Sequence, residues 1–267
     1  MHRKAVVAGQ FYPESATALR DMVKGFLSSE VPPRPALGIV SPHAGYIYSG
    51  AIAGQTFARV EVPRRVVILG PNHHGLGQPG AVFRAGAWAT PLGESLIDEE
   101  LTGALIARCP ALVADEAAHR MEHSLEVQLP FVQVRSPRAS IVPICLASLS
   151  LSSLLQTGEA LAEVLSSCPD EVLMVASSDM THYESSETAR AKDMQALERI
   201  EALDPEGLYR VVRNRGISMC GVLPVVVMLA ASVRLGARQA TLVNYGNSGD
   251  VTGDNDQVVG YAGVVIT

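Results

Sequence analysis

Ala36-Leu37-Gly38-Ile39-Val40-Ser41-Pro42-His43-Ala44-Gly45-Tyr46 is the stretch whose reading decides the fold. A short apolar run ends there in a polar stop that carries histidine. The pattern occurs twice more. Val66 to Leu69 runs into Gly70-Pro71-Asn72-His73-His74-Gly75, and Val172 to Ala176 runs into Ser177-Ser178-Asp179-Met180-Thr181-His182. Each run has the length and β-branched content of a buried parallel strand. In open α/β sheets, ligand sites gather just beyond the carboxyl ends of such strands. If the three strands are neighbours, His43, His73, Asp179 and His182 converge on one crevice.

Working outward, strands and helices alternate along the chain. Residues 15–28 read as a helix with Leu19, Met22, Val23 and Phe26 on one face. Further helices are expected over 50–59, 98–107, 151–165, 184–203, 204–212 and 219–235, with Asp204 as N-cap and Pro205 in the first helical position. Met121 to Leu129 also reads as helical, stopped or kinked near Pro130. Val82 to Trp88 reads as an edge strand or hairpin arm, and Ile141–Leu146, Ala240–Tyr245 and Val258–Ile266 as strands. This alternation predicts a three-layer α/β/α sandwich around a mostly parallel sheet. No stretch reads as an interdomain linker, so one domain over 1–267 is expected.

Hydrophobic residues make up 48% of the 267 positions, enough for a full core. Charged residues make up only 18%, and the net charge is −6. With no Lys/Arg cluster beyond pairs such as Arg64-Arg65, a nucleic-acid partner is not expected. The apolar stretch after Arg3-Lys4 is too short for a signal-peptide core, and Val222–Val233 is too short to span a bilayer. A cytoplasmic protein without membrane contact is therefore expected. Cys109, Cys145, Cys168 and Cys220 show no CxxC spacing and read as free thiols.

Gly75-Leu76-Gly77-Gln78-Pro79-Gly80 matches a glycine-rich nucleotide loop in letters only. Such a loop must open a helix, whereas Pro79 and Ala81-Val82-Phe83 read as a turn into a strand. In the tandem His73-His74, adjacent side chains do not both face one point, so His73, nearer the strand end, is the expected site residue. Glu122-His123-Ser124-Leu125-Glu126 reads either as a capped, solvated helix start or as a contribution of base or orienting groups to the crevice. Asp179, near His182, reads as the partner that fixes an imidazole tautomer or as a cap for the next helix. Cys220 lies near a helix N-terminus, where the dipole favours a thiolate. Asp250, Asp254 and Asp256 are too irregular for a calcium loop and read as solvating a turn.

Taken in order, these motifs resemble the Memo family (mediator of cell motility; in prokaryotes, AmmeMemoRadiSam system protein B). The string is Ala8-Gly9-Gln10-Phe11-Tyr12, Pro42-His43-Ala44-Gly45-Tyr46, Gly70-Pro71-Asn72-His73-His74, Glu122-His123-Ser124-Leu125-Glu126 with Leu129-Pro130, Ser177-Ser178-Asp179 with His182, Cys220-Gly221 with Pro224, and Asn244-Tyr245. The resemblance implies a fold similar to class III extradiol dioxygenases. It implies a non-haem metal site at His43, His73 and Cys220, with Asp179 and His182 beside it and iron or copper bound. It also implies partnership with a radical-SAM protein and a companion protein. A cysteine where the dioxygenases place a carboxylate changes the electronics of the ion.

The expectation is thus a metal centre of two His and one Cys, holding iron(II), copper or zinc. Asp179, His182 and His123 would handle protons or orient ligands, and Tyr46 and Tyr12 would line the mouth. As an enzyme it would perform metal-dependent redox chemistry on a small oxygenated or aromatic molecule. Two alternatives stand beside this. One is a hydrolase with Cys220 as nucleophile, His182 or His43 as base and Asp179 as orienter. The other is a non-catalytic module that docks a peptide or protein on a relic site.

Overall fold

The three apolar runs are strands, and they are neighbours. The computed structural model describes residues 1–267. In chain order the first elements are β1 (His2–Arg3), α1 (Ala16–Phe26), β2 (Gly38–Ser41), α2 (Tyr46–Ala58), β3 (Arg65–Pro71), β4 (Gly80–Val82), β5 (Ala87–Thr90), β6 (Gly93–Leu96), α3 (Glu99–Arg108) and β7 (Val113–Ala114). Then come α4 (Leu129–Arg135), β8 (Ser140–Leu146), α5 (Leu151–Ser166), β9 (Val172–Ser177), β10 (His182–Glu184) and α6 (Ser186–Glu201). The chain closes with α7 (Pro205–Arg215), α8 (Val222–Arg234), β11 (Ala240–Asn247), α9 (Gly249–Thr252) and β12 (Val258–Ile266).

The main sheet runs β10-β12-β2-β9-β3-β8-β4-β7, with β11 also paired to β12. Its centre, β2-β9-β3-β8, is parallel. Antiparallel β12 and β4 flank that centre. Side chains alternate between the two faces, as a strand requires. Ile39, Val66, Ile68, Leu173 and Val175 join α1, α2 and α4 in one core. Val40, Val67, Leu69, Met174 and Ala176 join α5 to α8 in the other. The result is the expected three-layer α/β/α arrangement. A small separate sheet, β1-β5-β6, closes one side. No helix is long and apolar enough to cross a membrane.

Local signals explain most helix starts. Ser15, Asp98, Ser150, Ser185 and Asp204 each cap a helix by accepting a backbone N–H with the side chain. Ser185, rather than Asp179, caps the helix after β10. Three expectations need correction. Met121–Leu129 is not a helix: it holds a turn and the 3-10 turn Glu126–Gln128, and Pro130 opens α4 instead of stopping a helix. A proline in the first turn forfeits no hydrogen bond. α2 begins at Tyr46, four residues early, because Gly45 turns directly out of β2 and the Phe11 carbonyl accepts the Tyr46 N–H at 2.7 Å. Val82–Trp88 is split between β4 and β5, which belong to different sheets. Gly75–Gly80 leads into β4 with no helix, as the rejected nucleotide loop requires.

A buried ion pair ties the first residues to this frame. Arg3 donates to Glu126 at 2.6 Å and to the carbonyls of His119 and Glu122, each at 2.6 Å. Its guanidinium lies 4.1 Å above the Trp88 ring. Glu126 also accepts the Tyr12 hydroxyl at 2.6 Å and the N–H groups of Val6 and Val7. Arg3→Ala strands a buried carboxylate and is expected to cost about 3–5 kcal/mol in urea unfolding. Arg3→Met with Glu126→Leu should lose less than the two single changes together.

His119, wedged against Phe83 and Trp88, supplies a pH test. Burial, and then the Arg3 charge, pushes its pKa from 6.5 down to about 4. The unfolded chain takes up this proton near 6.5, and the folded protein does not until about 4. Stability is therefore full above that window and falls as pH drops through it. His119→Gln is expected to flatten the pH dependence of the urea midpoint by about one proton.

Candidate functional site

Register builds the site. β2, β9 and β3 lie side by side, with Ser41 opposite Ser177 and Leu69 opposite Ala176. His43, Asp179 and His73 each stand two residues beyond the last residue of one of these strands. The Glu122–Leu125 turn folds over the same end. Three imidazoles, His43, His73 and His123, thereby meet with their ligand atoms all within 4.8 Å of one another. The rings of His73 and His123 stack at 4.7 Å between centroids.

Hydrogen bonds fix the tautomers. Ser177 donates its single hydroxyl proton to the Ser124 carbonyl at 2.7 Å and accepts from the Gln128 amide at 2.8 Å. That amide also donates to the Pro42 carbonyl at 3.0 Å, which identifies its nitrogen. His43 Nδ1 lies 2.9 Å from the same Ser177 oxygen. With the hydroxyl proton committed elsewhere, Nδ1 must be the donor, and the His43 lone pair sits on Nε2. His73 donates Nδ1–H to Glu122 at 2.9 Å and its backbone N–H to the other carboxylate oxygen at 2.7 Å. Its lone pair is likewise on Nε2.

The electrostatics follow from burial. His43 is pushed down to about 3 by desolvation and then by His73. His123 is pushed down to about 4 by desolvation and then by His43. Both are neutral at pH 7, the state a metal ligand needs. Burial also pushes His73 down, but the hydrogen bond and charge of Glu122 outweigh it and its pKa is raised. Glu122, fully buried, would be raised by desolvation, yet His73 and the Ser124 N–H hold it well below the usual carboxylate range. Asp179 accepts the His43 N–H at 2.7 Å, and burial is the main cause of its raised pKa.

Cys220 Sγ lies 3.3 Å from His43 Nε2 and accepts the Asp179 N–H at 3.3 Å. The approach requires Gly221, where a Cβ would collide with the Ser177 carbonyl and Ser178. The dipole-ionised thiol expected from the sequence is corrected here. α8 starts only at Val222, and burial, then Asp179, push the thiol pKa up. His182 donates Nδ1–H to the Ser218 carbonyl at 3.1 Å, which leaves Nε2 as its basic atom.

A cavity of about 640 Å³ opens above these groups. His43, His73, His123, Asp179 and His182 all line it; Cys220 does not. The expected mouth residues are also corrected. Tyr12 and Tyr46 are buried, with hydroxyls bound to Glu126 and to the Val127 carbonyl. Phe11, Tyr48, Tyr183 and Tyr261 take their place. Sequence reasoning assigned no role to Ser177, Gln128 or Tyr183. Gln128 carried one usable sign, an uncharged polar residue flanked by Val127 and by Leu129 to Val132, where burial demands partners.

Fold and site define an α/β protein with an imidazole-rich cavity at the carboxyl ends of parallel strands. The chain belongs to the Memo family: a family model described as Memo-like protein matches residues 3–265. A MEMO1 family protein of Methanopyrus kandleri is 42% identical over 279 residues, covering 99% of each chain. One from Aquifex aeolicus is 44% identical over 268 residues, covering 98% of each. Among solved structures, the uncharacterized protein JW3007 from Escherichia coli K12 matches with a TM-score of 0.57 over 86% of this chain and 99% of its own. At 14% identity that likeness is one of fold.

The tautomer assignment predicts an NMR result. In metal-free protein at neutral pH, ¹⁵N–¹H correlations of the His43 ring should show a protonated Nδ1 and a bare Nε2. Ser177→Ala should bring in the second tautomer while leaving His73 unchanged.

Proposed function

We propose that the chain is a metal-binding Memo-family protein in which His43, His73 and Cys220 hold the ion, with His123 the adjacent fourth donor. The observation that carries this is the convergence of the His43, His73 and His123 imidazoles at the cavity floor, with Cys220 Sγ behind it, 3.3 Å from His43 Nε2. The donor set fits a metal. Two Nε2 lone pairs are aimed by hydrogen bonds on the opposite nitrogen, the arrangement that metal-ligating histidines use. The 3.3 Å between Cys220 Sγ and His43 Nε2 matches the spacing of two donors sharing one ion. A cation beside the thiol would displace its proton.

Imidazole and thiolate donors suit iron, copper or zinc, and such an ion would supply Lewis acidity and, as iron or copper, one-electron redox capacity. The chain's own groups supply the rest. His182 takes or gives a proton at Nε2. Asp179 anchors the His43 backbone. Glu122 and Ser177 keep the two rings in place. Metal-dependent redox chemistry on a small organic molecule is the activity this supports best.

The 3.3 Å Cys220–His43 pair also supports a second reading, a sulfur nucleophile with His43 Nε2 as base. Against it stand the raised thiol pKa and the position of Cys220 off the cavity wall.

Elemental analysis of anaerobically purified protein tests the proposal. About one ion per chain is expected, and His43→Ala, His73→Ala and Cys220→Ser should each lose it. Glu122→Gln should retain the fold and weaken metal affinity by about 10–100-fold. Metal-free protein whose Cys220 is alkylated rapidly, at a rate added metal leaves unchanged, would favour the nucleophile.

A further inference from the structure

The walls of the cavity, as distinct from its floor, carry a charge pattern. Not one lysine or arginine lines it. Asp254 does, exposed, at the turn between α9 and β12. One of its oxygens accepts the Asp256 N–H at 2.9 Å, and no lysine, arginine or histidine pairs with it. The carboxylate of Glu122, by contrast, is engaged by His73 at 2.9 Å. A ligand anion entering this cavity meets an unneutralised carboxylate and finds no lysine or arginine to replace its water.

The second observation is Tyr183. Consecutive residues of a strand point to opposite sides, yet His182 and Tyr183 both line the cavity. Two irregularities make this happen. β10 pairs with β12 through a register shift between His182 and Glu184, and Tyr183 has φ +60°, a conformation that bulky residues rarely adopt. Strain of this kind persists where the surroundings impose it, and it clusters at ligand sites. Here it leaves an aromatic residue, 75% exposed, on a cavity that Phe11, Tyr48 and Tyr261 also line.

We infer that this cavity selects a neutral or cationic aromatic molecule and rejects the anionic analogue, with Asp254 reading the charge and Tyr183 stacking on the ring. The inference rests on the proposed function only in taking this cavity as the substrate site. It concerns the part of the ligand away from the floor. Nitrogen-bearing or hydroxylated aromatics fit; aromatic carboxylates and phosphates do not. Asp254 and Tyr183 are specificity residues in this scheme, and neither takes part in the chemistry.

Three phenols with one ring and different tails test this: tyramine (cationic), tyrosol (neutral) and 4-hydroxyphenylacetate (anionic). Binding is measured by calorimetry at low ionic strength and about pH 8, where an alkylamine stays protonated. Full-length protein is used after chelator treatment, so that no ion can attract the carboxylate. The expected order is tyramine, tyrosol, then the acid, with about fivefold between the ends, shrinking as salt is added. Asp254→Asn should bring the three within about twofold of one another. Tyr183→Ala should weaken all three alike and keep their order. An acid that binds as well as the amine, an order unchanged in Asp254→Asn, or no binding of any phenol to folded protein would overturn the inference. Metal content is read separately. Protein that sorts the phenols but never holds an ion would sink the metal proposal and leave this one standing.

Discussion

The site depends on the level at which three parallel strands end. β2, β9 and β3 are locked by backbone hydrogen bonds that set Ser41 opposite Ser177 and Leu69 opposite Ala176. Slipping any of them by one residue would exchange its two buried faces, taking Ile39, Val66 or Leu173 into the wrong core. Both cores therefore hold the register that places His43, Asp179 and His73 together. Gly70 adds a second condition. A Cβ there would press on Ser124 and Leu125 at 2.7 and 2.6 Å. Its absence lets the Glu122–Leu125 turn settle on the end of β3, where Glu122 reaches His73 and the Ser124 carbonyl reaches Ser177.

Glu122 and Glu126 show how four residues of chain separate two tasks. Both are buried, and on a helix they would share a face. The turn sends them to different partners. Glu122 orients a site imidazole. Glu126 neutralises Arg3 and gathers Val6, Val7 and Tyr12. That second cluster is structural, yet it acts on the site. It fixes the segment whose Phe11 carbonyl caps α2 and whose Phe11 ring lies 4.8 Å from His123. A buried carboxylate with a full set of donors costs far less than a lone one, which is why two such groups are tolerated four residues apart.

The fold was legible because its strongest signals are local. Short β-branched runs, serine and aspartate caps and the alternation of strand with helix all act over a few residues. The convergence of His43, His73, Asp179 and His182 on one crevice was legible too, since residues two positions past neighbouring strands, as the first three are, have little freedom to go elsewhere. Long-range effects were not. Met121–Leu129 carries a helical pattern, but Glu122 and Glu126 are claimed by His73 and Arg3, and satisfying those charges outweighs the propensity of the segment. Tyr12 and Tyr46 sit in motifs that suggest a mouth, but the ring stack with Phe131 and the hydroxyl partners of both draw them inward. The thiol state of Cys220 depends on burial by distant strands, which a helix-start argument does not contain.

Floor and walls answer to different physics. The floor hangs on parallel strands and on buried side chains that hydrogen-bond one another, so a change there disturbs register, tautomer or charge balance. Of the wall residues, Tyr183 stands on the bulged edge strand β10 and Asp254 on the turn after α9, both outside the β2-β9-β3 centre. A substitution at Asp254 or Tyr183 removes no core contact and no strand pairing within β2-β9-β3. The same floor can therefore sit beneath differently charged walls, and what enters the cavity is set independently of what the floor does to it.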